Sequence, residues 1–205
     1  MTTLVTGANG LVGSHVVRLL VQEGREVRAL VRASADLRSL EGVCCERVVG
    51  DVLDGASLRR ALAGCRWVYH VAAVNRLTAG DGETIRRTAL EGTRNVLRAA
   101  AETGVERVVY TSSIVTAGRA SDPGHLLTEE DFTDHTLTPY VQGKVEAEAW
   151  AREFFRESSF PLVIVNPCLV LGPGDYRPTP GGKLVRDFVA GRPALVIPAG
   201  FNVVD

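Results

Sequence analysis

Lysine is almost missing from this sequence. Of 23 basic residues among 205, only Lys144 and Lys183 are lysines, and arginine supplies the remaining positive charge. An excess of either sign is missing too: 24 acidic residues leave a net charge of −1. The two signs are interspersed, which excludes a nucleic-acid patch and a polybasic membrane segment. No apolar run approaches the ~18 residues that a membrane span needs, so no membrane insertion is expected. The first strand begins at once, without a charged-then-apolar leader. Cysteine is sparse, and Cys44, Cys45, Cys65 and Cys168 have neither metal-ligand spacing nor a disulfide pattern. Reduced thiols, no metal and a cytoplasmic location are the resulting expectations.

Against that scarcity, the placing of one lysine is informative. Lys144 stands four residues after Tyr140 in Tyr140-Val-Gln-Gly-Lys144. Composition alone yields a Tyr-x-x-x-Lys spacing in about 0.04 of such chains. Positions i and i+4 share one face of a helix, so phenol and ammonium project into the same space. Arginine would serve for a surface charge but does not replace a compact ammonium. The pair is a candidate for proton transfer.

The other end of the chain has a second signal. A short apolar strand at 2–6 runs into Gly7-Ala8-Asn9-Gly10-Leu11-Val12-Gly13, and an apolar-periodic stretch continues to Gly24. In this strand–turn–helix, Gly7 permits a tight turn, Gly10 lets backbone approach a pyrophosphate, and Gly13 lets helix pack on strand. The helix N-terminus would then face phosphates with free N–H groups. The spacing is G-x-x-G-x-x-G, not the general G-x-G-x-x-G. A glycine turn before a core helix is the plainer alternative.

Apolar runs alternate with helical periodicities along the chain. Strands are predicted at 2–6, 26–31, 43–49, 66–72, 105–111 and 161–166. Helices are predicted at 11–23, 56–63, 81–103 and 138–157, with a short turn at 35–40. The rhythm predicts an α/β fold with a doubly wound parallel sheet of Rossmann type over residues 1–166. Proline and glycine break up the region from 167 onward, where a brief helix at 183–190 and a strand-like run at 194–198 are expected. Residues 167–205 read as the start of an incomplete, truncated substrate region.

Together these segments resemble the extended short-chain dehydrogenase/reductases, the NAD-dependent epimerase/dehydratase superfamily. Within it they resemble the dihydroflavonol-reductase-like branch and hopanoid-associated sugar epimerases. The resemblance is carried by Thr6 to Gly13, Gly50-Asp51-Val52, His70-Val71-Ala72-Ala73, Glu91 to Val96, Val109 to Ser113, Tyr140 to Lys144, and Val165-Asn166-Pro167. The stretch from Gly172 to Pro180 supports the narrower branch. Where the family often has asparagine before Gly92-Thr93, this chain has Ala89.

The resemblance implies a role for each match. Gly7, Gly10 and Gly13 would hold a pyrophosphate, with Asn9, Leu11 and Val12 in the same cofactor-binding segment. Asp51 and Val52 would contact adenine, and Ala72 and Ala73 would let the cofactor lie along the backbone. Tyr140 would be the general acid/base, Lys144 would bond the nicotinamide ribose, and Ser113 would hold the reacting oxygen. Ser112 is the runner-up for that role and, with Asn166 and Pro167, belongs to the implied cofactor set. A lysine ammonium and an oxidised nicotinamide would each favour the phenolate of a tyrosine whose free pKa is ~10. Asp51 reads equally as a turn or cap residue, and the serines as a polar strand end.

Cofactor choice is read from the second strand, which ends Leu30-Val31-Arg32-Ala33-Ser34 without an acid until Asp36. An NAD enzyme usually has an acid there for the ribose 2′-hydroxyl. Arg32 and Ser34 suit a 2′-phosphate, so NADP(H) is favoured over NAD(H), unless Arg32 is merely a solvated loop arginine. Three functions follow. The first is an NADP-dependent reductase or dehydrogenase acting on a carbonyl or secondary alcohol of a small molecule. The second is a nucleotide-sugar epimerase or dehydratase with tightly held NAD, and the third a non-catalytic dinucleotide-binding sensor or scaffold. His15, His125 and His135 read as surface or cap residues, and His70 as packing. Trp150, Phe154 and Phe155 read as core, or as part of a homodimer interface through helices 81–103 and 138–157.

Overall fold

A computed structural model describes residues 1–74, 82–120, 122, 124–192 and 202–204. Six parallel strands form one sheet: β1 (Thr2–Thr6), β2 (Glu26–Val31), β3 (Glu46–Val49), β4 (Cys65–His70), β5 (Arg107–Thr111) and β6 (Leu162–Val165). Their order is β3-β2-β1-β4-β5-β6. The chain therefore winds outward from β1 to β3, crosses back to β4 beside β1, and winds the other way. That reversal is a topological switch point, and ligands of such sheets bind at the carboxyl ends of the strands beside it.

The elements predicted over 1–166 are present, most with shorter ends, though β4 and the helix expected at 56–63 begin one residue earlier and the helix expected at 138–157 ends one later. Strand 43–49 starts at Glu46 and strand 105–111 at Arg107, because the residues before them finish turns after the preceding elements. The helices are α1 (Leu11–Gln22), α2 (Gly55–Leu62), α3 (Gly82–Glu102), α4 (Pro139–Ser158) and α5 (Pro180–Val189). Short 3-10 turns lie at Arg38–Leu40 and Ile114–Thr116, the second unforeseen in the sequence. The brief helix expected at 183–190 starts earlier, since Thr179 caps Gly182 N–H and Pro180 occupies the first turn. Asp81 and the run at 194–198 lie outside the described residues.

Each strand divides its side chains between two faces. Leu4, Leu30, Val68, Val108 and Tyr110 pack with Leu58, Leu62, Val96, Leu97, Ala147 and Ala151 from α2, α3 and α4. On the other face, Val5, Val27, Ala29 and Val31 pack under Val17 and Leu20 of α1. Beside β5 that second face is open among the described residues: Val163 and Val165 of β6 are 44% and 39% exposed.

Close packing explains Ala89. A side chain at Gly143 of α4 would put its Cβ 3.0 Å from Arg86 Cα and 3.1 Å from Ala89 Cβ of α3. The two helices meet there through small residues, so Ala89 belongs to the contact that seats α4. Past β6, residues 172–177 return over α1, where His15 Nε2 hydrogen-bonds the Pro173 carbonyl at 2.9 Å and Arg38 lies over Tyr176. Leu169–Val170 (β7) then pairs in parallel with Val203–Val204 (β8). No helix among the described residues is long and apolar enough to cross a membrane.

Candidate active site

The topology brings the segments singled out in the sequence to one edge of the sheet. Gly7 follows β1, Arg32 follows β2, Asp51 follows β3, Ala72 and Ala73 follow β4, Ser112 and Ser113 follow β5, and Asn166 follows β6. This is the carboxyl edge, astride the switch point.

The glycine turn is built by steric necessity. Gly7 has φ +65°, and a Cβ there would sit 2.7 Å from both the Cα and N of Ala72. A Cβ at Gly13 would collide with the Gly7 carbonyl oxygen, so only glycine lets α1 start this close to β1. Gly10 forms the N-cap and leaves the first turn without a capping side chain. In contrast, Asp54, Thr138 and Thr179 cap α2, α4 and α5. The first-turn N–H groups of α1, around Leu11, Val12 and Gly13, thus face the sheet edge beside a backbone cleared of side chains. A pyrophosphate fits such a cradle. Asn9 braces it, donating from Nδ2 to the Asp36 carbonyl at 3.1 Å and accepting from Ser39 Oγ at 3.0 Å.

At the end of β2, Arg32 is exposed and makes no side-chain hydrogen bond or ion pair among the described residues. The nearest acid in sequence is already engaged: Arg38 binds both carboxylate oxygens of Asp36 and holds its pKa down to about 2. Asp51 works as a turn residue, its carboxylate accepting from Leu53 N–H at 2.9 Å. Val52 is buried, and its carbonyl accepts from Asn95 Nδ2 at 3.0 Å.

Tyr140 and Lys144 share the face of α4 that looks onto the end of β5. Lys144 is 4% exposed, and its ammonium donates to the Thr111 carbonyl at 3.0 Å while lying over the Tyr110 ring. Burial pulls its pKa down to about 8, with Glu148 opposing the shift. Burial raises the pKa of Tyr140, and interaction with the Ser113 hydroxyl partly offsets the rise. The sequence predicts a lowered phenol; among these side chains desolvation outweighs every group that stabilises the phenolate.

The two serines are separated by strand alternation. Both are buried: the Ser113 hydroxyl accepts from Val115 N–H at 3.5 Å and interacts with the Tyr140 phenol, whereas Ser112 donates to Glu148 at 2.6 Å. Asn166 points inward as well, donating to Glu148 at 2.8 Å and to the Ser113 carbonyl at 3.2 Å. The Pro167 carbonyl accepts from Ile114 N–H at 3.1 Å. His70 is interior, bridging Thr6 Oγ1 and Thr93 Oγ1 at 2.8 and 3.2 Å, and burial lowers its pKa to about 3. Sequence reasoning passed over Glu148, Thr116 and Arg152. Glu148 could have been found by spacing, since it follows Tyr140 and Lys144 by eight and four residues on one helical face.

Residues 3–202 match the NAD dependent epimerase/dehydratase family. Cinnamoyl-CoA reductase 1 of Petunia hybrida is 41% identical over 184 residues, covering 82% of this chain and 54% of the relative. Dihydroflavonol 4-reductase of Zea mays is 35% identical over 191 residues, covering 84% and 53%. Among solved structures, the dTDP-glucose 4,6-dehydratase DesIV of Streptomyces venezuelae, with NAD and TYD bound, superposes with a TM-score of 0.83. It is 26% identical, over 93% of this chain and 63% of that one. The chain spans about half the length of the curated relatives it matches. A reversed parallel sheet, a glycine turn at its switch point and a match along nearly the whole sequence agree: the chain belongs to the NAD dependent epimerase/dehydratase family, the extended short-chain dehydrogenases/reductases.

Proposed function

We propose that this chain forms the cofactor-binding and catalytic part of a cytoplasmic NADP-dependent reductase acting on a carbonyl group of a small molecule. The observation that carries the reading is the grouping of Ser113, Tyr140 and Lys144 at the carboxyl edge, opposite the glycine cradle. A nicotinamide cofactor bound along that edge supplies the hydride. Gly7, Gly10, Gly13 and the first turn of α1 hold its pyrophosphate, and Arg32 pairs with a 2′-phosphate. Relatives named as reductases support the reaction type. The four free cysteines suit a reducing compartment.

The proton chemistry follows from the side chains. A phenol whose pKa is raised stays protonated at neutral pH, which suits Tyr140 to give a proton to an oxygen that becomes an alcohol. Ser113 holds that oxygen beside the phenol. Lys144, with a pKa of about 8, is mostly charged at pH 7 and stabilises the phenolate left behind. Tyr140→Phe is expected to abolish NADPH consumption by a carbonyl panel while NADPH affinity, read by calorimetry, changes less than about threefold. Retained turnover would remove Tyr140 from the acid/base role.

A second reading, a nucleotide-sugar epimerase or dehydratase with retained NAD, is favoured by the likeness to DesIV. NAD copurifying with the protein would select it, and the free Arg32 argues against it. We also propose that α3 and α4 pair with a second copy. Arg94 and Arg98 flank Trp150 there, and Phe155 is 48% exposed. Sedimentation as a monomer would dismiss that pairing.

A further inference from the structure

Glu148 is fully buried, yet it lies two helical turns below Tyr140 with five hydrogen bonds on its carboxylate. Oε2 accepts from Ser112 Oγ at 2.6 Å, Thr116 Oγ1 at 2.7 Å and Asn166 Nδ2 at 2.8 Å. Oε1 accepts from Arg152 Nη2 at 2.6 Å and Nε at 2.9 Å. Burial pushes its pKa up, but these donors together hold the carboxyl below its ordinary value, so Glu148 is an anion in the interior. Burying a charge is unfavourable unless geometry and hydrogen bonds offset it.

The donors are not scattered. Ser112 and Thr116 lie on either side of Ser113, and the Ser113 carbonyl itself accepts from Thr116 Oγ1 at 2.8 Å and Asn166 Nδ2 at 3.2 Å. The neighbouring backbone is tied down as well, Ser112 N–H to Val165 O at 2.8 Å and Ile114 N–H to Pro167 O at 3.1 Å. The side chains of Ser112 and Thr116 on either side of Ser113 are thus both drawn to Glu148, and the adjoining backbone is tied to the segment from Val165 to Pro167. Extended backbone at Ser113 (φ −164°, ψ 150°) sends consecutive side chains to opposite sides. Ser112 is thereby anchored inward, while the Ser113 hydroxyl is left to accept from Val115 N–H at 3.5 Å and to interact with the Tyr140 phenol.

We propose that Glu148 is a positioning residue: through Ser112, Thr116 and Asn166 it fixes the Ser113 hydroxyl against the Tyr140 phenol, both carried to one place by α4 and β5. The inference rests on reading Ser113 and Tyr140 as the reacting pair. Its test needs neither substrate nor cofactor.

The four tyrosines are labelled at Cζ with carbon-13, and Tyr140→Phe assigns the Tyr140 resonance. The fraction of Tyr140 ionised at pH 10 is read in wild type, S113A, E148Q and the double variant. S113A removes the hydroxyl that favours the phenolate, and a roughly threefold fall in that fraction is expected. E148Q keeps an acceptor for Ser112, Thr116 and Asn166 but sets an amide against Arg152, so the strut loosens. It should lower the fraction too, and the double variant should fall no further than S113A alone. Loss of a nearby anion would by itself favour the phenolate, so a rise in E148Q overturns the proposal, as does no change or a multiplicative double effect. If E148Q does not fold, Ser112→Ala gives the same reading, and an unmoved Tyr140 there also overturns it. Failure of the reductase reading appears elsewhere, as turnover retained in Tyr140→Phe.

Discussion

Replacing Lys144 with methionine is expected to stabilise the protein at neutral pH while ending its chemistry. Burial lowers the lysine's pKa from 10.5 to about 8, and at 1.36 kcal/mol per unit this charge costs folding about 3 kcal/mol at pH 7. The sign follows from linkage. Below pH 8 both folded and unfolded chains hold the proton, and the full cost is present. Between about 8 and 10.5 the unfolded chain holds more protons, so wild-type stability rises with pH as the cost disappears. Methionine forfeits the hydrogen bond to the Thr111 carbonyl, worth ~1 kcal/mol. The variant should therefore be about 2 kcal/mol more stable at pH 7, with the gain shrinking to about zero by pH 10. His70 of β4, Tyr110 of β5 and Glu148 of α4 face the same ammonium, and all three remain in both proteins. Urea unfolding of the two proteins at pH 7, 8.5 and 10 measures the difference directly. A difference that stays constant across that range, or a variant less stable at pH 7, would refute the argument.

Arg32→Glu should weaken NADPH binding by about 2 kcal/mol through lost pairing with the 2′-phosphate and leave NADH within about threefold; equal losses in calorimetry would dismiss the assignment. Gly13→Ala drives a methyl into the Gly7 carbonyl, and roughly 3 kcal/mol of stability should go with it, read by urea unfolding. A Gly13→Ala protein as stable as wild type would mean that α1 can start further from β1. Gly143→Ala presses on Arg86 and Ala89 and should cost ~1–2 kcal/mol by the same measurement; no loss would mean that α3 and α4 meet with room to spare.

The parts of this protein legible in the sequence are those with a local cause. β2 is copied from its apolar run to the residue, and Gly7 and Gly13 announce a turn whose reason, the approach of Ala72 and Gly7 backbone, lies in the fold. Tyr140 and Lys144 were visible because four residues make one helical turn. What escaped notice depends on contacts across the chain. Spacing puts Glu148 on the Tyr140 face but says nothing of its partners, since it meets Ser112 over 36 positions and Asn166 over 18. The sequence expects a lowered phenol from Lys144 and an oxidised nicotinamide together; among the protein's own groups the Tyr140 shift is upward, set by how much water the fold removes, which α4 and β5 decide together. Ala89 looked like a missing polar group, and its contact with Gly143 makes it a spacer.

The face left open beside β6 among the described residues has a consequence for motion. Amide exchange should be slowest in β2, β1, β4 and β5, which have a strand on each side, and should quicken toward β6, whose outer edge has no strand beside it among the described residues. Yet Asn166, the residue after β6, is one of the donors that Glu148 gathers. Fraying at that margin would reach the serine beside Tyr140 within two hydrogen bonds. A partner lying against Val163 and Val165 would then act as a damper, setting from outside how still the proposed reacting pair is held.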